Sequence, residues 1–264
     1  MTLLHHINGA YVLSGFVVGF LVGMTGVGGG SLMTPLLILL FGISPEKAVA
    51  TDLIYASITK TGGSFVHGFN KTIDWGIVGR LASGSLPASL ATLLTFFYLG
   101  VDSAAVSALI TRVLGVALVF TAAALILRPW LLRTYAGRFA GASNEATRAY
   151  TILTGVALGV LVTISSVGAG ALGVTALILL YPKLPIVRIA GSDIAHAVPL
   201  TLLAGIGHLA GGSINLWTLA SLLTGSLPGI VIASAFAPRI PDTALRLLLA
   251  ATLILVAAKL LWGA

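Results

Sequence analysis

Gly26-Val27-Gly28-Gly29-Gly30-Ser31 opens the apolar run 31–42 and closes the run 10–25. Ser166-Val167-Gly168-Ala169-Gly170 stands in the same way between runs 150–165 and 171–181, 140 residues later. Each flanking run is short against the roughly 20 apolar residues that cross a bilayer. Glycine reaches backbone angles closed to other residues and weakens a helix interior by about 1 kcal/mol. The pattern predicts paired helices, re-entrant or discontinuous, meeting at a non-helical break. At membrane depth such a break is tolerated only where it is buried in protein or lines a polar cavity.

The echo continues along the chain at an offset of 141. Thr51-Asp52 returns as Ser192-Asp193, His67 as His208, and Gly84-Ser85-Leu86-Pro87 as Gly225-Ser226-Leu227-Pro228. Two copies of a glycine-interrupted apolar unit are the pattern of secondary transporters that bind where their repeats meet. The predicted fold is an all-α polytopic membrane protein. Its first transmembrane repeat is residues 1–128, an Arg-rich cytoplasmic connection follows at 129–148, and residues 149–264 form the second repeat. Each copy contributes an odd number of crossings whether its broken pair is a hairpin or two spans, so the repeats are expected to be inverted.

Composition agrees. The 264 residues are 58% hydrophobic and only 8% charged, against about 25% charged in soluble domains. The net charge of +7 does not read as nucleic-acid binding, because the basic residues are not interleaved with aromatics on a polar face. Arg128, Arg133, Arg138 and Arg148 cluster in the one long polar connection, as cytoplasmic loops do. With no cysteine, thiolate chemistry and disulfides are excluded. The N-terminal stretch lacks a basic start before its apolar run and is read as mature sequence.

Ser44-Pro45 reads as a helix start, with serine as cap and proline at the first helical position. That helix is expected to reach about His67. Further spans are expected at 75–99, 104–127, 186–210, 215–237 and 243–262, with Trp75, Trp130, Trp217 and Trp262 near their ends as interfacial anchors. Placing both termini outside puts Lys71, the loop arginines, Lys183, Arg188 and Arg239 on the cytoplasmic side, and leaves Lys47 and Lys259 near outer connections. The chain is therefore expected to be a multi-pass protein of the inner membrane with extracytoplasmic termini.

Several residues could carry chemistry. Gly28, Gly29, Gly30 and Ser31, and Gly168 and Gly170, precede helix starts whose free amides suit an anion; small residues also serve simply as close-packing positions between helices. On the helix from Ser44, residues Asp52, Ala56, Thr59, Lys60, Gly63 and His67 share an arc of about 100°. The second stripe holds Asp193, Ala197, Leu200, Thr201, Ala204 and His208, with threonine in place of Lys60. A central membrane Asp or Lys costs roughly 2.5–3.5 kcal/mol on insertion scales. Asp52 and Asp193 either occupy helix-start amides of the neighbouring break or carry a coupling ion. His67 and His208, near the far ends, are packing residues or a proton relay. Lys60 contacts substrate or pairs with Asp52, and Arg112 contacts substrate or snorkels. No cluster has metal-ligand spacing, and no cofactor motif is present.

The stretch GVGGGSLMTPLLILLFGISPEKAVATD, with a helix ending at His67 and then Lys71-Thr72-Ile73-Asp74-Trp75, resembles the TauE/SafE family of sulfite and organosulfonate exporters, over nearly the whole chain. The second copy departs from it, with Ala169 at a usual glycine and Thr175 where the first has Pro35. The resemblance implies an inner-membrane permease for sulfite or short sulfonates such as sulfoacetate. It places the breaks, Thr51-Asp52 and Ser192-Asp193 near the site. The expected function is export of a small anionic substrate by alternating access, coupled to an ion gradient. Alternatives are a passive anion channel and, less favoured because ionisable groups are spread over two stripes, a membrane-embedded lipid-modifying enzyme. No enzyme activity, cofactor or nucleic-acid partner is expected; the lipid bilayer is the expected surrounding, and the sequence leaves room for a homodimer.

Overall fold

The structure is a computed structural model that describes residues 8–25, 30–98, 104–140, 143–211, 215–236 and 242–262. Gly28, Gly29 and Arg239 lie outside the described residues. Ten helices are described, and none of the described residues is in a strand: α1 (Gly9–Thr25), α2 (Gly30–Phe41), α3 (Pro45–Phe69), α4 (Trp75–Tyr98), α5 (Ala104–Ala140), α6 (Asn144–Ser165), α7 (Ala171–Leu180), α8 (Ile186–Gly211), α9 (Leu216–Phe236) and α10 (Asp242–Trp262). Six of them, α4, α5, α6, α8, α9 and α10, are long and apolar enough to cross a membrane. At 1.5 Å per residue, α2 and α7 reach only about 15–18 Å, roughly half the hydrocarbon core.

Local chemistry sets the helix starts. Pro45 follows Ser44 as expected, although the serine side chain makes no capping bond. Asp74 Oδ1 accepts from the Gly76 and Ile77 amides at the start of α4, and its counterpart Asn215 Oδ1 accepts from Trp217 and Thr218 at the start of α9. Such caps satisfy amides that have no partner within the helix. The span expected to stop at 127 instead continues through Arg128 and Pro129 to Ala140, and the next helix already begins at Asn144, so residues 129–140 and 144–148 of the predicted connection are helical.

Both broken pairs turn back on themselves. The Phe41 ring at the end of α2 lies 4.3 Å from Tyr11 near the start of α1. Tyr181, just beyond α7, meets Thr151 of α6 through their hydroxyls at 2.8 Å. In the second break, Ser166 caps α6 in the left-handed conformation at φ 59°, and Gly168 and Gly170 follow at φ 126° and 129°, angles open to glycine.

Glycines also set how the two units interlock. A Cβ at Gly15 would strike the Leu222 carbonyl and one at Gly19 the Ser226 carbonyl, so α1 lies parallel to α9 with backbones in contact. Gly155 faces Leu81 and Gly159 faces Ser85 in the same manner, so α6 lies parallel to α4. Between α3 and α8 the order reverses: Gly205 faces Ile54, Gly63 faces Ile194 and Gly191 faces His67. These helices run antiparallel. Close approach at small residues is how membrane helices pack without a hydrophobic driving force. The outside carries leucine, valine, phenylalanine and all four tryptophans exposed, as a lipid-facing surface does.

Candidate functional site

Antiparallel α3 and α8 bring two buried aspartates towards the starts of the two half-length helices. Asp52 is fully buried on α3, and its Oδ2 accepts the Thr34 hydroxyl of α2 at 2.5 Å. Ser166 of the second break and Lys60 also face its carboxylate; its Oδ1 has no partner. Asp193 is buried on α8 beside the Gly170 amide that opens α7, and it packs directly on Gly173. That amide stops short of hydrogen-bond geometry, for neither Asp193 oxygen has a partner. Orphaned buried groups of this kind cost about 1–3 kcal/mol each, more when charged.

Lys60 lies between them. It reaches from α3 in the first unit into the break of the second, where Nζ donates to the Ala169 carbonyl at 3.1 Å. It is buried, and its charge faces Asp193 and Asp52. Asp52 bonds to Thr34 rather than to Lys60, so the sequence-stripe pair is not a direct contact. His196 of α8 is fully buried and faces Lys60. Its Nε2 lies 2.7 Å from Ser85 Oγ, and its Nδ1 has no partner.

The remaining sequence-predicted residues fall around this centre. Gly30 opens α2 and Ser31 is buried in its first turn. Gly168 and Gly170 flank Ala169. Thr51 and Ser192 are buried; each hydroxyl donates to the carbonyl one turn back, Lys47 and Arg188. Ser192 also accepts from the Asp74 amide at 2.8 Å. His67 Nδ1 lies 2.7 Å from the Thr72 hydroxyl, which gives its proton to the His67 carbonyl. His208 Nε2 donates to the Thr163 carbonyl at 2.7 Å and meets the Phe96 ring edge-on. Both histidines are thus held at helix margins. Arg112 is exposed on α5 and does not join the cluster.

Sequence reasoning missed His196, Thr34 and Ser166. His196 had a signal: it stands 141 residues after Tyr55 and one turn past Asp193, on the same helix face.

A cavity of about 600 Å³ opens at the starts of α3 and α9, lined by Tyr11, Ser44, Lys47, Thr51, Asn215 and Thr218 among others. At the repeat-related place Asp74 closes on Ser192, and Ile77 packs with Leu81, Leu177 and Ile189.

Among known protein families, the one described as "Sulfite exporter TauE/SafE" matches residues 11–260. The chain is 40% identical over 252 residues to "Probable membrane transporter protein YjnA" of Bacillus subtilis, covering 95% of this chain and 98% of that protein. It is 25% identical over 235 residues to "Probable membrane transporter protein YdhB" of the same organism, covering 89% and 92%. No solved structure matches.

Proposed function

Because this multi-pass membrane chain belongs to the sulfite exporter TauE/SafE family of transporters, we propose that it carries small sulfur oxyanions, sulfite or short organosulfonates, out across the inner membrane. The observation that carries the reading is Lys60, a buried cation that spans from one unit to the break of the other between two buried carboxylates. An anion at hydrocarbon depth needs such a partner.

The reading includes alternating access between two oppositely oriented repeats, coupled to an ion gradient. Antiparallel packing of α3 on α8, and parallel packing of α1 on α9 and α6 on α4, support the inversion. The two capping loops support the two-sided gate. Asp74 is clamped on Ser192, whereas its counterpart Asn215 stands across an open cavity from Thr51. On this reading the bonded loop is the shut entrance and the cavity its open repeat-related twin, the arrangement expected when one repeat rocks against the other. With arginines of the long connection in the cytoplasm, the open side is extracytoplasmic, with both termini.

Thermal shift of the purified chain tests the substrate class. A bound ligand raises stability by RT ln(1 + [L]/Kd), about 2.7 kcal/mol at a hundredfold excess over Kd. Sulfite, sulfoacetate or thiosulfate should raise the melting temperature, and chloride at equal ionic strength should not. No shift with any of them would overturn the reading.

A further inference from the structure

We infer that Asp193 is the proton-carrying group of this transporter: its carboxylate and the transported anion occupy the same place, beside Lys60 at the start of α7, so that anion binding draws one proton from solution. The inference rests on the reading of the protein as an anion transporter and gives that reading its coupling ion.

The two aspartates are repeat-related but differently supported. Asp52 holds the Thr34 hydroxyl at 2.5 Å. Leu37-Ile38-Leu39-Leu40 and Leu177-Ile178-Leu179-Leu180 fix the register of α2 against α7, and that register puts Val174 at the position of Thr34. Valine has no hydroxyl to give. Asp193 is accordingly left with both oxygens unpartnered although it is 1% exposed. Its neighbours are the Gly170 amide, Lys60 and the backbone of Gly173. A helix-start amide and an ammonium are what an entering anion requires, so the carboxylate sits in the anion's place.

Charge balance dictates the role of the proton. With all three groups ionised, Asp52 and Asp193 share one lysine, leaving a net charge of −1 among buried side chains. An added anion would raise this to −2, with no lysine or arginine other than Lys60 facing the two carboxylates among the described residues. Neutralising Asp193 removes the negative charge that an entering anion would meet beside Lys60 and the Gly170 amide. A divalent metal ion does not suit the place: calcium and magnesium take six or more oxygen ligands, among the described residues no three His, Cys, Asp or Glu side chains gather to hold one, and the Ala169 carbonyl of the break is already bonded to Lys60. A proton does suit it. The carboxylate takes one from solution as the anion enters and returns it when the anion leaves on the other side, so the two cross together. The direction of net movement is set by the sum of their gradients.

The charged and titratable groups facing this centre are Lys60, Asp52 and Tyr55 from α3 and His196 from α8 itself. Helix α7 has no ionisable residue before Tyr181. Arg80 of α4 is turned away, onto the Tyr181 hydroxyl at 3.1 Å.

The test uses the full chain in detergent with isethionate and thiosulfate, which keep a fixed charge across the neutral range, for the proton count and pH profile, and with sulfite, which takes up a proton of its own near neutrality, for binding alone. Proton uptake on binding is read with a pH dye in weak buffer, and Kd is measured across the neutral range. The wild type should take up about one proton per anion, and its Kd should rise by up to about tenfold per pH unit as the pH climbs. Asp193→Asn should bind without proton uptake and with a flat profile. Val174→Thr supplies the missing hydroxyl and should move the profile to more acid pH; if Asp193→Asn does not fold, this variant decides, and an unchanged profile overturns the inference. Binding by the wild type without proton uptake, or uptake persisting in Asp193→Asn, overturns the inference and leaves the anion reading standing. Binding of none of the three anions overturns both.

Discussion

His196 on α8 stands where Tyr55 stands on α3, and each ties its helix to a serine of the other unit. His196 Nε2 lies 2.7 Å from Ser85 Oγ of α4; the Tyr55 hydroxyl donates to Ser226 Oγ of α9 at 2.6 Å. The serines come from the repeated Gly-Ser-Leu-Pro stretch. The difference lies at the other end of the ring: His196 Nδ1 is left without a partner. Tyr55→Phe should therefore cost about 1 kcal/mol of stability and leave anion binding in place. His196→Phe should lower stability by a similar amount and also weaken binding. Thermal denaturation and anion titration on the same samples separate the two.

Lys60 and Arg112 make opposite predictions although both are cations expected inside spans. Lys60→Met should abolish anion binding while the protein still folds, because no other described basic side chain faces Asp52 and Asp193. Arg112→Met should bind as the wild type does, since Arg112 points outwards. Thermal shift with sulfite or sulfoacetate reads both.

The seam between the units depends on absent side chains. Gly225→Ala would drive a Cβ into the Val12 carbonyl and to 2.8 Å from the Phe16 amide. Backbone cannot yield as a side-chain tip can, so melting should fall by several degrees or the protein should fail to assemble. Gly79→Ala in α4 meets nothing within 4 Å, and should be neutral or stabilising by up to about 1 kcal/mol. Denaturation of the two purified variants in one detergent checks the contrast.

In the proposed alternating-access cycle, the closed entrance hangs on the bond from the Asp74 amide to Ser192. The chain has no cysteine, so single introduced cysteines report cleanly. Thr218 is only 7% exposed but lines the cavity, so Thr218→Cys should react with an impermeant maleimide, whereas Ile77→Cys, whose site is packed among Leu81, Leu177 and Ile189, should not. Ser192→Ala removes a bond worth about 0.5–1.5 kcal/mol, a shift of roughly two- to tenfold in the balance of states. Labelling at Ile77→Cys should rise, and at Thr218→Cys fall, by about that factor.

Much of this was legible in the chain because both the glycine breaks and the aspartates are costly in a membrane and occur twice. A break between two half-length apolar runs has few physical solutions, and Ser44-Pro45 marks a helix start by local chemistry alone. Whether the broken pairs turn back was not legible, since Tyr11 meets Phe41 only in space. The outward face of Arg112 was hidden for a different reason: the polar residues of α5 do not gather on one face, so periodicity does not tell core from lipid. His196 escaped notice because its significance lies in Ser85 and Lys60, which reach it from other helices.

Flux of labelled sulfite or sulfoacetate from liposomes containing the purified chain tests the central claim most directly. Wild-type protein should release the unaltered anion well above empty liposomes, and Lys60→Met should fall to the empty-liposome rate. Equal release by wild type and Lys60→Met, or none above empty liposomes from either, would contradict the account.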